Sequence, residues 1–434
     1  MFHTYEEALH WIHSRLRLGI KPGLMRMEWM MEKLNHPEQR IQCVHIGGTN
    51  GKGSTVTYLR SILEHAGLKT GTFTSPYIEQ FNERISLNGV PITDEEIVEL
   101  ANVIYPLSIE LEATELGGPS EFEIITAMAI YYFADMQPVD MAIFEVGLGG
   151  RFDSTNVIHP LLSIITNIGL DHTQFLGNSY EEIAFEKAGI IKKEKSIISA
   201  VKQPEAREVI VKRAKELDAP VYLLNEDFFI KDHRSAEFGE VFSWQYENLE
   251  LKDAAITMFG KHQTENAALA ITAANLLEKE HGIGIQEKDI REGLKAAFWP
   301  GRFEMVKQNP VLILDGAHNE EGITALTNEL MKRYHDKKIK IIFSALADKK
   351  LDRMVEKLDK IAQEITFVSF DYPRASTAET LYSLSSSKRK YMQEDWEAAI
   401  TNEYMLLEGN EVLVVTGSLY FISQVRHFLR ESAL

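Results

Sequence analysis

The chain has one cysteine, Cys43, among 434 residues. That rules out a disulfide framework and a thiolate metal cluster, and it suits a reducing compartment, so a cytoplasmic location is expected. Basic residues are also in short supply: 46 Lys and Arg against 64 Asp and Glu leave a formal net charge of −18. So acidic a chain is expected to bind neither nucleic acid nor a membrane surface, and any anionic ligand must meet a local concentration of positive charge. No apolar run approaches the ~18 residues that a membrane span needs. The first residues read as a helix opened by a Thr4-Tyr5-Glu6-Glu7 capping box, not as a basic-then-apolar leader. Short repeats and low-complexity tracts are missing too. What is present, 44% hydrophobic and 25% charged residues, is ordinary for a soluble protein and long enough for two or three domains.

The most informative stretch is Cys43-Val44-His45-Ile46-Gly47-Gly48-Thr49-Asn50-Gly51-Lys52-Gly53-Ser54-Thr55. It reads as strand, glycine loop and helix start. The glycines free the backbone to turn its N–H groups toward one point, Lys52 adds a positive charge, and the helix opening there directs its positive end at the same anion. Ser54 or Thr55 offers a hydroxyl to Mg²⁺. The parts are those of a nucleotide phosphate loop, although the spacing departs from the common G-x-x-x-x-G-K-[ST] form.

Apolar runs at 139–144 and 161–166 read as strands buried on both faces, and they alternate with helical patterns. The fold expected is α/β: a P-loop-type, doubly wound, mainly parallel sheet domain with a small antiparallel β insertion at 228–259. A segment at 298–308 reads as a hinge. Beyond it a second, Rossmann-like α/β domain is expected over 309–434, so the first domain spans 1–297. Within that first domain, 19–35 carries Lys21-Pro22-Gly23 and a methionine-rich helix read as packing. An Asn88-Gly89 hairpin turn is expected after a strand at 82–87.

Other candidate residues fall at the carboxyl ends of predicted strands, where ligands bind in such sheets. Glu145 ends one strand and is a candidate second Mg²⁺ ligand. The following Gly147-Leu148-Gly149 is no dinucleotide fingerprint, because Phe152 stands where a third glycine belongs. Asp171-His172 is either a turn or helix cap, or a metal or substrate group. Lys187 lies between apolar residues, and its spacing alone assigns it nothing. Arg302 is either a phosphate clamp or an interdomain ion pair. Asp315 and His318 end the first strand of the second domain.

Gly48-Thr49-Asn50-Gly51-Lys52-Gly53-Ser54, Thr74-Ser75-Pro76 with Phe81-Asn82-Glu83-Arg84-Ile85, Glu145-Val146-Gly147-Leu148-Gly149-Gly150-Arg151, Glu186-Lys187-Ala188-Gly189 and Leu314-Asp315-Gly316-Ala317-His318-Asn319 together resemble the folylpolyglutamate synthase and dihydrofolate synthase family, relatives of the Mur peptide ligases. Tyr77 and Ala184-Phe185 depart from that pattern. The resemblance implies a monomeric ligase that uses ATP and two Mg²⁺ ions to join L-glutamate to tetrahydrofolate, dihydropteroate or both. It assigns Thr49, Asn50, Gly51, Lys52, Gly53, Ser54, Asn266, Arg302, Asp315 and His318 to ATP. Ser54, Glu145, His172 and a carbamylated Lys187 fall to the metal, and Ser75, Arg84 and Asp153 to the pterin-bearing substrate. Lys52, Lys187 and His172 are thereby the catalytic candidates. Two rivals are a Mur-type amino-acid ligase and a non-catalytic phosphate-loop protein; a dehydrogenase is excluded.

Overall fold

The computed structural model describes residues 1–19, 23–77 and 79–432. Lys21 and Pro22, and the turn expected there, lie outside the described residues. The chain forms two compact units, one of residues 1–234, 241–257 and 263–297, the other of 235–240, 258–262 and 298–434.

The first unit is built on β1 (Cys43–Gly47), β2 (Thr70–Phe73), β3 (Ile85–Leu87), β4 (Val90–Pro91), β5 (Met141–Glu145), β6 (Leu162–Ile165), β7 (Ser196–Ser199) and β8 (Val221–Leu223). Their order in the sheet is β4-β3-β2-β5-β1-β6-β7-β8. From β2 to β8 every neighbouring pair is parallel, while β3 and β4 add an antiparallel edge. Every residue of β1 and of β5 is buried, as expected for continuous apolar runs at the centre of a sheet. β1 has β5 on one side and β6 on the other, so the loops that leave these three strands diverge at β1. That is the switch point at which a crevice opens. Asn88 and Gly89 both take positive φ, 49° and 71°, and make the expected hairpin turn.

The helix Met25–Lys33 buries Met27, Met30 and Met31 in a core shared with Phe73, Phe144 and the helices Asp94–Glu112 and Glu121–Tyr131. Those three methionines are packing, as expected; Met25, read from the sequence as packing with them, is instead 62% exposed at the first position of the helix, off its buried face. Three further strands, β9 (Phe228–Ser235), β10 (Glu240–Tyr246) and β11 (Leu249–Ile256), form a separate small sheet in the order β11-β10-β9. A two-residue link such as that between β10 and β11 permits only antiparallel pairing.

The second unit holds β12 (Glu304–Gln308), β13 (Val311–Asp315), β14 (Lys338–Phe343), β15 (Glu364–Val368), β16 (Lys390–Gln393) and β17 (Glu411–Thr416), in the order β12-β13-β17-β14-β15-β16. All pairs are parallel except β12 with β13. The segment 298–308, read from sequence as a hinge, therefore carries an edge strand in its second half. Its alternation is too weak and too exposed to announce a strand; the ladder to β13 supplies what side-chain burial does not.

Candidate active site

The phosphate loop leaves β1 at Gly47, and the helix Lys52–His65 begins five residues later. Two of its glycines are required by geometry. Gly48 has φ 141°, and a Cβ there would lie 1.9 Å from Thr166 Oγ1; Gly51 has φ 84°, and a Cβ would lie 2.4 Å from Asn266 Oδ1. The loop is braced from β6. Thr166 Oγ1 donates to Asn50 O at 2.6 Å, Thr49 N–H donates to Asn167 O at 3.0 Å, and Asn50 N–H donates to Asn167 Oδ1 at 2.8 Å. The cradle is thus narrower than its glycine content suggests, because two of its amides serve Asn167. Donors without an intrahelical acceptor remain in the first turn of the helix, from Lys52 onward.

Two lysines converge on one carbonyl. Lys52 Nζ donates to Gly48 O at 3.2 Å and to Thr49 O at 3.3 Å, and Lys187 Nζ donates to the same Gly48 O at 3.0 Å. Lys187 is buried on the last turn of the helix Tyr180–Ala188. Burial first, then the Lys52 ammonium, bring its pKa down to about 7, while Asp171 and Asp153 pull in the opposite direction. At neutral pH a sizeable fraction is neutral amine. Glu145 Oε1 lies 3.9 Å from Lys52 Nζ, and Glu145 Oε2 accepts from Ser75 N–H at 3.4 Å, so the ends of β1, β2 and β5 meet at this carboxylate. Ser54 Oγ accepts from Gln263 Nε2 at 3.2 Å, and Gln263 Oε1 accepts from Asn266 Nδ2 at 3.1 Å. His172 sits on the same edge in a left-handed conformation, φ 51°, ahead of the short helix Thr173–Leu176.

The loop after β5 packs backbone to backbone on the end of the Lys187 helix. Arg151 N–H donates to Glu186 O at 2.8 Å, the Arg151 guanidinium pairs with Glu186 at 2.7 Å, and an added Cβ on Gly189 would lie 2.3 Å from Arg151 Cα. Arg151 also covers the rings of Phe152 and Phe185 at 4.2 and 4.8 Å, which gives the unexpected Phe185 a partner. Asp153 is buried and accepts from Leu148 N–H at 2.8 Å and from both the N–H and hydroxyl of Thr155. Burial raises its pKa, opposed by those hydrogen bonds. Arg84 faces Glu121 at 3.9 Å with its guanidinium over Tyr77 at 5.2 Å and Phe81 at 5.7 Å.

In the second unit, Asp315 ends β13 and accepts from Phe303 N–H at 2.8 Å and Ala317 N–H at 2.9 Å. Burial raises its pKa, and the nearby Arg302 charge opposes the shift. His318 Nδ1 pairs with Gly316 O at 3.0 Å.

Among the expected site residues, Thr49 to Ser54, Ser75, Glu145, Lys187 and Asn266 are brought together within the first unit; Arg84 lies in a separate charged and aromatic cluster of that unit. Arg302, Asp315 and His318 cluster in the second. Sequence reading missed Thr166, Asn167 and Gln263 as loop supports. A polar pair at the end of an apolar strand is the signal for the first two.

Fold and loop define a class. The Mur ligase middle domain matches residues 46–274 and the Mur ligase glutamate ligase domain matches 301–419, so this is a Mur-type ligase architecture. The chain is 49% identical over 430 residues to the dihydrofolate synthase/folylpolyglutamate synthase of Bacillus subtilis (strain 168), covering 99% of this chain and 100% of that protein. The structure of Mycobacterium tuberculosis folylpolyglutamate synthase complexed with ADP matches with a TM-score of 0.92 at 30% identity, over 99% of this chain and 98% of that one. A structure described as an FPGS–AMPPCP–folate complex matches with a TM-score of 0.87 at 31% identity, over 98% of this chain and 100% of that one. The chain belongs to the dihydrofolate synthase/folylpolyglutamate synthase family. Among the described residues no helix is long and apolar enough to cross a membrane.

Proposed function

We propose that this chain is an ATP-dependent ligase that joins L-glutamate to the carboxylate of a pteroate or folate, acting as both dihydrofolate synthase and tetrahydrofolylpolyglutamate synthase. The observation that carries the reading is the meeting of Lys52, Lys187, Ser54 and Glu145 around one glycine loop, in a chain with relatives of that name along its whole length.

A carboxylate is a poor electrophile. The γ-phosphoryl group of ATP passes to a carboxylate oxygen, giving an acyl phosphate and ADP; the glutamate amine then attacks the carbonyl carbon, loses a proton, and inorganic phosphate leaves. Two anions must meet in the first step, so positive charge fixed at the γ-phosphate lowers the barrier. Lys52 and the helix start supply it, with Thr49, Asn50, Gly51, Gly53 and Ser54 shaping the phosphate site. Asn266 is assigned to the nucleotide, as are Arg302, Asp315 and His318 on the second unit. Ser75, Arg84 and Asp153 are assigned to the acceptor.

Ser54 Oγ and the Glu145 carboxylate are hard oxygen donors, and no cluster of three or more His, Cys, Asp or Glu placed to hold a metal occurs among the described residues. Such a sparse set suits Mg²⁺, which takes one or two carboxylates and completes its shell with waters and substrate phosphates. Ser54, Glu145 and His172 are the ligands assigned, joined by Lys187 once carbamylated, in a two-ion arrangement. Bound there, Mg²⁺ supplies charge neutralisation at the phosphate oxygens. The neutral amine at Lys187 is the form that adds to carbon dioxide, which supports the carbamate. A monomer in the cytoplasm completes the reading.

Phosphate release from Mg²⁺-ATP, followed with dihydropteroate, with tetrahydrofolate and with no acceptor, tests it. Release that requires both glutamate and a pterin acceptor, with a product one glutamyl residue heavier, is expected. Equal release without acceptor or glutamate overturns the reading in favour of a phosphate-loop protein of another kind.

A further inference from the structure

His45 is an anomaly in β1. It lies between Phe144 of β5 and Ser163 of β6 in a strand whose other side chains are apolar, and none of its surface is exposed. A buried imidazole is costly unless hydrogen-bonded. Its partner is 110 residues away: His45 Nε2 lies 2.8 Å from Thr155 Oγ1. Thr155 is itself fully buried, and its hydroxyl donates to Asp153 Oδ1.

The direction of this chain follows from counting hydrogens. A hydroxyl has one hydrogen, and the Thr155 hydrogen goes to the Asp153 carboxylate. His45 must therefore donate, so its proton is on Nε2. Among the described residues His45 Nδ1 has no hydrogen-bond partner, as suits the nitrogen that carries no hydrogen. Burial, with a smaller contribution from Lys192, pushes the imidazole down to about 3, so it stays neutral throughout the neutral range. The relay runs one way, from His45 Nε2–H through the Thr155 hydroxyl to Asp153. The phosphate loop begins two residues beyond His45 on the same strand.

We propose that His45 is a positioning residue for the acceptor substrate: acting through Thr155, it holds the Asp153 carboxylate as an oriented acceptor for an N–H group of the pterin-bearing molecule. The proposal rests on the ligase reading above. Thr155 alone can rotate its hydroxyl hydrogen away from Asp153; a donor at its back removes that freedom. The same strand then positions both the phosphate loop and the acceptor carboxylate.

Steady-state kinetics of the full chain with ATP, glutamate and dihydropteroate test the relay. His45→Gln places an amide N–H near the lost Nε2–H, His45→Met removes the donor at similar volume, and Thr155→Ser and Thr155→Val do the same one link along. His45→Met and Thr155→Val are each expected to raise the acceptor KM about tenfold, with the ATP KM changed by less than about twofold. His45→Gln and Thr155→Ser are expected to recover most of that loss, and the double variant His45→Met/Thr155→Val to be no worse than either single one. An unchanged acceptor KM in Thr155→Val, an equal rise in both KM values, or additive losses in the double variant overturn the relay while the wild-type chain still ligates. Thr155→Val carries the test if His45→Met does not fold. A wild-type chain that transfers no glutamate overturns the ligase reading and the relay with it.

Discussion

Lys187 is costly to the fold, and the proposed ligase mechanism is what would require it there. Its folded-state pKa of about 7 lies below the ordinary lysine value, so between pH 7 and 10.5 the unfolded chain binds a proton that the folded chain does not. Stability contributed through this group is present above the unfolded value and declines as pH falls toward 7. Lys187→Met is therefore expected to raise the stability of the chain at pH 7 in carbonate-free buffer by on the order of 2 kcal/mol, with less gain at pH 9, while ligation falls by more than about a hundredfold. Denaturant melts at the two pH values, paired with the phosphate-release assay, check both halves. A destabilised Lys187→Met at pH 7 contradicts the buried-amine account. Neither the burial nor the Lys52 neighbour was legible in sequence: Glu186-Lys187-Ala188 reads as any helix end, and the two lysines are brought onto one carbonyl by β1 and the helix Tyr180–Ala188 packing together.

The phosphate loop behaves as an element because its shape is held from outside. Gly48→Ala forces a side chain into φ 141° and against Thr166, whose backbone N would lie 3.1 Å from the new Cβ. The expected cost is about 1–3 kcal/mol of stability, together with loss of nucleotide binding in a direct titration, since the loop must move to accommodate the methyl group. Gly67→Ala, at a positive φ of 85°, meets nothing within 4 Å among the described residues and is the control for a strained backbone without a clash. Strand legibility divides along the same lines. β1, β5 and β6 were readable because a strand covered on both faces is apolar along most of its length. β12 and β16 were not, because edge strands with part-exposed side chains are held by their ladders, and lysine and glutamine there carry no strand signal.

Each unit of the whole molecule has its own apolar cores, one set around Phe73 and Phe144 and around Ile165 and Ile197, the other around Phe343 and Phe367 and around Val415 and Phe421. Calorimetric unfolding without nucleotide is expected to resolve into two components, of which Gly48→Ala lowers only one. A single cooperative transition shifted as one body contradicts independent cores. The sequence by itself determined which segments become central strands, where the phosphate loop lies, and the order of chemical groups along the chain, because apolar periodicity and glycine spacing act locally. It also carried the family. Only the tertiary structure decided which groups meet: Ser54 with Gln263 across 209 positions, Gly48 with Lys187 across 139, and His45 with Thr155 across 110. The last two encounters follow from the sheet order β2-β5-β1-β6, and the first from the docking of the helix Lys261–His281; both are selected by packing among distant elements and are written in no local stretch of the chain.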